Sequence, residues 1–324
     1  MRTWNGTKKS CIEALPIAGD NMPPPTISIV TPSFNQAQYL PECLESVLGQ
    51  DYPQMECLVI DGGSTDRSVE VLQEFGSRLA YWVSEPDRGQ AEAVNKGWAR
   101  ARGDVLGWIN SDDLLRPGAL RQVATAYATH PQAAMIFGDV EEVTASGRPV
   151  RAKHMAGFSL SSLLLGKNMP QPGVFVSRRT YGKLGGLNES LHYALDFDYF
   201  LRTWLAFPAE DFHYVPAVLA ASRLWPKTKT HRAGTRIGTE YRSVLDATFA
   251  RADLPAEIQA LKRCAYSRAV LFKQARIYFG AGDRLPGLYW LFRSVLGEPS
   301  WAEKAHMGRY GLRCLLGGGV EFED

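Results

Sequence analysis

The chain has 324 residues, enough for one large α/β domain with an added segment or for two modest domains. Hydrophobic residues make up 45% of it and charged residues 22%, which is typical of a globular protein and not of a disordered or fibrous one. The net charge of +2 indicates no nucleic-acid partner. The charge is uneven, because residues 1–222 carry 19 Lys and Arg against 24 Asp and Glu, whereas residues 223–324 carry 17 against 10.

The first 25 residues contain no long apolar run, and no stretch of about 18 apolar residues occurs in the chain. We therefore expect a flexible leader at residues 1–25, with neither a signal peptide nor a membrane span. The five cysteines are widely spaced, and no C-x-x-C pair occurs. This pattern predicts neither a disulfide framework nor a zinc site, and it favours a reduced, cytoplasmic setting.

From residue 26 onward, short β-like runs alternate with amphipathic helical segments. Apolar residues recur at helical spacing over residues 40–48, and further helices are predicted up to residue 75 and over 91–101 and 120–127. The predicted strands lie at residues 26–31, 57–60, 79–83, 105–109 and 134–137. This alternation predicts an α/β protein with a mostly parallel sheet and helices on both faces.

The pattern changes after residue 140. We predict a hairpin over residues 141–153 around Ser146-Gly147, a short helix at 159–165, a strand at 174–177 and a helix at 196–205. From about residue 235 the sequence is helical, with aromatic and basic residues interleaved. These features predict an α/β domain over residues 26–232 and a basic helical extension over 233–324.

Acidic residues follow three of the first four predicted strands, where an open parallel sheet binds its ligands. Asp61 follows the second strand, Asp87 the third, and the pair Asp112 and Asp113 the fourth. Adjacent carboxylates at the end of a buried strand repel each other, and Mg²⁺ or Mn²⁺ relieves that repulsion with substrate phosphates as further ligands. The alternative is that one Asp caps the next helix while the other is solvated.

A second acidic site opens the helix predicted at residues 196–205. Asp196 and Asp198 stand there among apolar neighbours, which raise a carboxyl pKa and suit a general base. The alternative is a helix cap at Asp196 and a surface carboxylate at Asp198. The chain lacks the G-x-G-x-x-G fingerprint of dinucleotide folds, a P-loop and an H-E-x-x-H motif.

Four segments of the chain occur in the order found in one enzyme family. They are TPSFNQAQYLPECLESVLGQDYP, VIDGGSTDRSVEVL, SEPDRGQAEAVNKGWARARGDVLGWINSDDLLRPGAL and GVFVSRRTYGKLGGLNESLHYALDFDYFLR. Together they resemble the family 2 inverting glycosyltransferases, which have the GT-A (Rossmann-like) fold. The resemblance covers residues 26–231. It implies an enzyme of polysaccharide biosynthesis that moves a sugar from a nucleotide diphosphate sugar, with a UDP-type donor favoured, to a saccharide or lipid-linked acceptor hydroxyl.

The resemblance also implies roles for matching positions. In the donor pocket, Thr31, Pro32 and Phe34 would line the nucleotide. Asp61 would bond the base, and Arg88 would approach the diphosphate or ribose. The basic residues that would close over the diphosphate are Arg223, Lys227, Lys229 and His231, although a solvated basic loop is an equal alternative.

For the metal and the base, Asp112 and Asp113 occupy the family's acidic motif for Mn²⁺ or Mg²⁺. Many relatives have Asp where this chain has Asn110, and we favour Asp113 as the principal ligand. Asp196 matches the catalytic base, although Leu195 stands where relatives often carry Glu. Asp198 is the second candidate for the base.

Two other functions remain open from the sequence: a non-catalytic nucleotide-sugar sensor or scaffold, and a nucleotidyltransferase on a similar fold. We expect acceptor residues around 163–172. The basic, aromatic extension predicts either contact with an anionic membrane surface, at the inner face of the membrane, or a helical cap on the α/β domain.

Overall fold

The computed structural model describes residues 23–225 and 236–315 of the chain. The predicted leader falls almost entirely outside the described residues, as do Lys227, Lys229 and His231. Within the described part, the predicted α/β architecture is confirmed, because a central sheet is covered by helices on both faces.

The described residues form a nine-stranded sheet. Its strands are β1 Ile27–Ser33, β2 Met55–Asp61, β3 Tyr81–Ser84, β4 Val105–Trp108, β5 Leu114–Leu115, β6 Met135–Val143, β7 Pro149–Lys153, β8 Val174–Ser177 and β9 Phe212–Arg223. The strand order is β3-β2-β1-β4-β8-β6-β9-β5, and β7 pairs with β6. Neighbours are parallel from β3 to β4, whereas β8 is antiparallel to both β4 and β6. The first four strands therefore direct their carboxyl ends to one edge, where the predicted site residues lie.

Different helices cover the two faces of this sheet, as the side chains of β1 illustrate. The helices of the α/β part are α1 Leu40–Leu48, α2 Ser68–Phe75, α3 Gln90–Arg100, α4 Ala119–Thr129, α5 Leu160–Leu164, α6 Arg178–Leu184 and α7 Leu195–Ala206. Successive side chains of a strand point to opposite faces. Ile27 and Ile29 accordingly share a core with α1, α2 and α4, whereas Val30 shares one with α3 and α7.

The structure corrects three details of the predicted strands. Strand β3 begins at Tyr81 and not at residue 79, because a 3₁₀ turn at Gly76–Arg78 precedes it. Strands β5 and β9 were not predicted. Strand β9 contains Pro216, which argues against a strand by sequence, and its register against β6 shifts between Gly138 and Val140. The predicted hairpin is confirmed as the antiparallel pair of β6 and β7.

The predicted helical extension is confirmed over its described residues. Its elements are α8 Arg236–Phe249, α9 Ala256–Ala260, α10 Lys262–Ala265, a π-helical segment Tyr266–Phe272, α11 Lys273–Gly280, α12 Arg284–Gly297 and α13 Trp301–Leu315. Side chains from α8 to the π-helical segment share the core of α3 and α7, whereas α11, α12 and α13 build a small core of their own. None of the helices described here is both long and apolar enough to cross a membrane.

Candidate active site

The loops after β1 and β2 are tied together at the carboxyl edge of the sheet. Asn35 adopts a left-handed backbone with φ of 52°, and its side-chain oxygen accepts from the N–H groups of Thr65 at 2.8 Å and Asp66 at 3.3 Å. In return, the Asn35 N–H donates to Ser64 Oγ at 2.7 Å, and Asp66 accepts from the N–H of Ala37 at 3.0 Å. Asp66 therefore joins two loops. Burial by itself would raise its pKa, but hydrogen bonds from Ser68 and from the N–H of Ala37 hold the pKa below its usual range.

Asp61 lies at the end of β2 with no exposed surface. One of its oxygens accepts from Ser64 N–H at 2.8 Å and Ser84 Oγ at 2.7 Å, and the other accepts from Ser64 Oγ at 2.6 Å. The structure thus places this carboxylate under the predicted nucleotide pocket, where it holds the loop after β2 to the end of β3. Contact with a base would require some of these bonds to be exchanged.

The three residues predicted to line the nucleotide differ in exposure. Thr31 and Pro32 are buried within β1, whereas Phe34 is 59% exposed at the start of the following loop. An exposed ring at this edge has a free face on which a planar base can stack. Of the three side chains, Phe34 is therefore the one that the structure presents to solvent.

The acidic motif forms a turn after β4. The Asp113 N–H donates to Asn110 O at 2.9 Å, while Asn110 Nδ2 donates to Asp113 Oδ2 at 3.0 Å and Gln90 Nε2 donates to Asn110 Oδ1 at 2.6 Å. The other Asp113 oxygen accepts from the N–H of Arg223 at 2.9 Å. Burial, together with the charge of Asp112, raises the pKa of Asp113 to about 8. Both oxygens of Asp113 are thus engaged by protein donors.

Asp112 lies on the more open side of the same turn. It is partly buried, and its Oδ2 accepts from Trp225 Nε1 at 2.9 Å. Burial raises its pKa, while the bond from Trp225 opposes that change. Asp112 is therefore more accessible to a ligand than Asp113, which is built into the turn.

The chemistry of this pair fits a divalent cation shared with a substrate. Two adjacent carboxylates of raised pKa lose their mutual repulsion when a cation binds between or beside them. Among the described residues, no group of three or more His, Cys, Asp and Glu side chains is arranged to hold a metal ion. Coordination by one or two carboxylates, with substrate phosphate oxygens among the remaining ligands, is typical of Mg²⁺.

Arg223, the last residue of β9, is buried beside this pair. Its Nε donates to Asp112 O at 3.0 Å, its Nη1 to Ala145 O at 2.7 Å and its Nη2 to Glu42 Oε2 at 2.6 Å. The guanidinium also lies 4.7 Å from the centroid of the Tyr39 ring. The predicted diphosphate contact would require this network to open, whereas the observed bonds make Arg223 the residue that supports the acidic turn.

The two candidate bases of α7 have different surroundings. Asp198 is buried in an ion pair with Arg202 Nε at 2.8 Å, and its pKa is raised by burial while Arg202 opposes that rise. Asp196 is partly buried at the start of the helix, and its Oδ1 accepts from the N–H of Phe197 at 2.8 Å. Asp196 is therefore the more exposed of the two carboxylates, and Asp198 is the one held in a buried ion pair.

The loop between β3 and α3 connects the acidic turn to the segment that precedes α7. Gln90 bonds Asn110 of the turn, and a Cβ placed on Gly89 would lie 3.3 Å from His192 Nδ1. Arg88 is exposed. Its Nε lies 2.7 Å from Glu92 Oε2, and its guanidinium also forms an ion pair with Glu189. The turn of Asp112 and Asp113 and the segment before Asp196 thus approach adjacent residues at the start of α3, while Arg88 itself is held by carboxylates.

Sequence reasoning missed one residue that organises this segment. Glu240 of α8 accepts from the N–H groups of His192 at 3.0 Å, Tyr193 at 2.6 Å and Ala194 at 2.9 Å. The helical extension therefore holds the backbone just before Asp196. No local pattern marks Glu240, because its partners lie more than 40 residues away in the chain.

The sequence is similar to several known glycosyltransferases. It is 29% identical over 204 residues to a PGL/p-HBAD biosynthesis glycosyltransferase of Mycobacterium bovis, a match that covers 62% of this chain and 77% of that protein. It is 35% identical over 189 residues to an uncharacterized glycosyltransferase of Mycobacterium tuberculosis, covering 56% and 70%. It is also 32% identical over 183 residues to the O-antigen biosynthesis protein RfbC of Myxococcus xanthus, covering 55% of this chain but only 14% of RfbC.

The fold is also found in solved glycosyltransferase structures. S. aureus TarS 1-349 in complex with UDP-GlcNAc superposes with a TM-score of 0.61 at 17% identity, covering 85% of this chain and 82% of that one. The mannosyltransferase PcManGT of Pyrobaculum calidifontis, in complex with GDP-Man and Mn²⁺, has a TM-score of 0.60 at 17% identity, covering 89% and 80%. The family model described as Glycosyl transferase family 2 matches residues 28–194. With the sheet, the acidic turn and these relatives in agreement, the chain belongs to glycosyl transferase family 2 and is a glycosyltransferase of the GT-A type.

Proposed function

We propose that this enzyme transfers a sugar from a UDP-type donor to an acceptor hydroxyl in one displacement that inverts the anomeric centre. One observation carries the proposal: Asn110, in the turn of the carboxylate pair, bonds Gln90, while His192, in the segment before Asp196, lies beside the adjacent Gly89. That arrangement suits a leaving diphosphate on one side and an attacking hydroxyl on the other. The UDP-GlcNAc bound by TarS supports a uridine donor, whereas PcManGT binds GDP-Man with Mn²⁺.

On the donor side, we assign Asp112 as the principal metal ligand and Asp113 as the residue that orients the turn. A divalent cation, when bound, supplies Lewis-acid neutralisation of the negative charge on the departing diphosphate. Asp113 and Arg223 hold the backbone of the turn through the bond between the Arg223 N–H and Asp113 Oδ1. Phe34 would stack on the base, with Asp61 beneath it holding the loop after β2.

On the acceptor side, Asp196 would take the proton of the attacking hydroxyl. The acceptor oxygen forms a bond to the anomeric carbon as the bond from that carbon to the diphosphate oxygen breaks, and the proton moves to the carboxylate. No covalent enzyme intermediate is needed. The acceptor would be a saccharide or lipid-linked saccharide, and the similar proteins named for O-antigen biosynthesis and for PGL/p-HBAD biosynthesis support this choice.

The experiment that tests this function measures donor cleavage. The purified full chain, with Mn²⁺ or Mg²⁺ and a panel of UDP, GDP and TDP sugars, should slowly release free nucleoside diphosphate even without an acceptor. Release from one donor class and its dependence on the cation would support transfer. Tight donor binding without release, with or without added saccharide acceptors, would instead identify a non-catalytic sensor.

We further propose that the enzyme contacts an anionic membrane surface through α12 and α13. Along α12, Leu285, Tyr289, Phe292 and Leu296 are 80%, 55%, 63% and 60% exposed. Their spacing of four, three and four residues places them on one helical face. Trp301 of α13 is 82% exposed. The cations on the same two helices are Arg284, Arg293, Lys304, Arg309 and Arg313.

The charges around this face support anionic lipid as its binding partner. The acidic residues of the same two helices and their connection are few, and one of them, Glu298, is buried in an ion pair with Arg268. Rings with cations beside them, such as Trp301 with Lys304 Nζ at 4.8 Å from its centroid, suit the headgroup region. An acceptor carried by a lipid would then be presented at the membrane where the enzyme is held.

A further inference from the structure

A lysine from the helical extension reaches the loop in which we expected acceptor residues. Lys273, the first residue of α11, places its Nζ 3.0 Å from Asn168 Oδ1 in the loop between α5 and β8. The same amine donates to the Tyr241 hydroxyl and lies 3.8 Å from the centroid of the Tyr241 ring. Three distant parts of the chain thus meet at one amine.

This cluster lies against the proposed base. The Tyr241 ring stacks on Phe197, with centroids 4.4 Å apart and planes 16° from parallel, and Phe197 directly follows Asp196. The Asp196 carboxylate acts electrostatically on both the Lys273 amine and the Tyr241 phenol. A group bound at Lys273 would therefore stand beside the residue that accepts the acceptor proton.

The charge around Lys273 is unbalanced. Among the described residues, Lys273 makes no ion pair, and its two hydrogen-bonding partners are neutral. Burial lowers its pKa to about 7, Asp196 opposes that change, and the cations Arg276 and Lys153 reinforce it. Lys153 also contacts Glu142, which offsets part of its charge. A partly buried ammonium whose hydrogen-bonding partners are both neutral is costly, and such costs persist mainly where a ligand makes use of them.

We propose that Lys273 forms an anion subsite for the acceptor, binding a phosphate group that the acceptor carries close to its attacking hydroxyl. This proposal rests on the proposed function, because that function supplies the acceptor. The anion site itself can be tested without turnover. The bound group would be a phosphate mono- or diester. Its source is the acceptor molecule itself and not the headgroups of the bilayer, because Lys273 is partly buried between α8 and the loop of Asn168.

The pH dependence follows from the groups that face Lys273, namely Asp196 of α7, Tyr241 of α8, Lys153 of β7 and Arg276 of α11. Below pH 7 the amine is charged and attracts the anion. Above pH 7 the free enzyme loses that proton, so binding must take a proton up and weakens as the pH rises. Arg in place of Lys273 stays charged throughout and removes this dependence.

The test is competitive acylation of the wild-type full chain, read by peptide mass spectrometry. With EDTA present to silence the metal site, the reactivity of Lys273 should titrate near pH 7, and Lys262 serves as the control amine measured in the same digest. Saturating inorganic phosphate or methyl phosphate should lower the acylation of Lys273 at pH 7.5 by about threefold, the effect of a one-unit rise in its pKa. Potassium chloride of equal ionic strength should not.

Two labelling results would overturn the proposal. One is a decrease in Lys273 acylation that does not saturate with phosphate and equals the decrease caused by chloride. The other is protection of Lys273 by anionic vesicles but not by methyl phosphate. Calorimetry of methyl phosphate in two buffers of different ionisation enthalpy gives a second reading. Proton uptake should occur with the wild type and vanish with Lys273→Arg, while binding persists. Uptake that persists in Lys273→Arg would place the anion elsewhere. If no nucleotide sugar is cleaved but phosphate still protects Lys273 from acylation, the transferase function is refuted and the anion site stands.

Discussion

The accessible carboxylate of the acidic turn is Asp112, because Asp113 is engaged by Asn110 and by the N–H of Arg223. We predict that Asp112→Asn weakens Mn²⁺-dependent UDP binding at least tenfold, about 1.4 kcal/mol, while uridine binding changes little. Isothermal calorimetry with both ligands measures this. Asp113→Asn is the matched control and should cost less UDP affinity. Equal losses of UDP and uridine would contradict a metal role, and a larger loss in Asp113→Asn would restore Asp113 as the ligand.

The carboxylates of α7 should separate by function in the same way. Asp196→Asn keeps the side-chain size but cannot accept a proton, so sugar transfer should fall by about 10²–10⁴-fold with donor binding intact. Asp198→Asn breaks the ion pair with Arg202 and should mainly lower the melting temperature. Transfer assays and thermal unfolding of both variants decide the assignment. An active Asp196→Asn beside an inactive but folded Asp198→Asn would reverse it.

Between elements, helix α3 approaches strand β1 closely at Gly97. A Cβ there would lie 2.4 Å from Val30 Cγ1, so α3 packs directly on β1. We predict that Gly97→Ala lowers the free energy of unfolding by about 1–3 kcal/mol through overpacking. Gly182→Ala in α6 is the control, since no described atom lies within 4 Å of its added methyl group, and it should be neutral or stabilising by up to about 1 kcal/mol. Denaturant unfolding measures both, and equal effects would refute the packing argument.

The contact between α8 and the segment before α7 should link the extension to catalysis. Glu240→Ala removes the acceptor of three backbone N–H groups next to Asp196, a loss of about 1.5–3 kcal/mol if the helix stays folded. We expect kcat to fall while the KM for the donor is unchanged. Glu240→Gln, which keeps an acceptor oxygen, should recover part of the rate. A lower melting temperature with unchanged kcat would limit Glu240 to a structural role.

At the scale of the whole molecule, the exposed face of α12 should attach the enzyme to anionic vesicles. Flotation should be strong at low salt and weaker at high salt, because each Lys or Arg near the surface contributes about 1 kcal/mol that salt screens. Phe292→Ser should reduce flotation, whereas Val150→Ser, at an apolar site on β7 that is 51% exposed, should not.

The outcome against membrane binding is a wild-type chain that never floats. Light scattering then distinguishes a second copy covering the same face, seen as a concentration-dependent dimer. Deleting everything after residue 232 is not a suitable control, because Tyr241 and Leu245 of α8 belong to the main core and their loss would unfold the protein.

Much of the fold followed from local patterns. Apart from β5, the strands and helices up to residue 137 were predicted from the two- and 3.6-residue periods of apolar side chains, which depend only on neighbours in sequence. Strand β9 was not predicted, because Pro216 argues against a strand and because its pairing with β6 joins residues that are far apart in the sequence. The motif residues were likewise predictable by type and order.

What each site residue does was decided by tertiary contacts. Sequence alone determined that two carboxylates follow β4 and that Asp196 begins a helix. It did not determine which carboxylate faces the cleft, because Asp113 is engaged by Arg223, 110 positions further along the chain. Nor did it mark Glu240 and Lys273, whose partners lie on distant elements. Exposure, hydrogen-bond partners and pKa depend on burial among such distant neighbours, and only the folded chain brings them together.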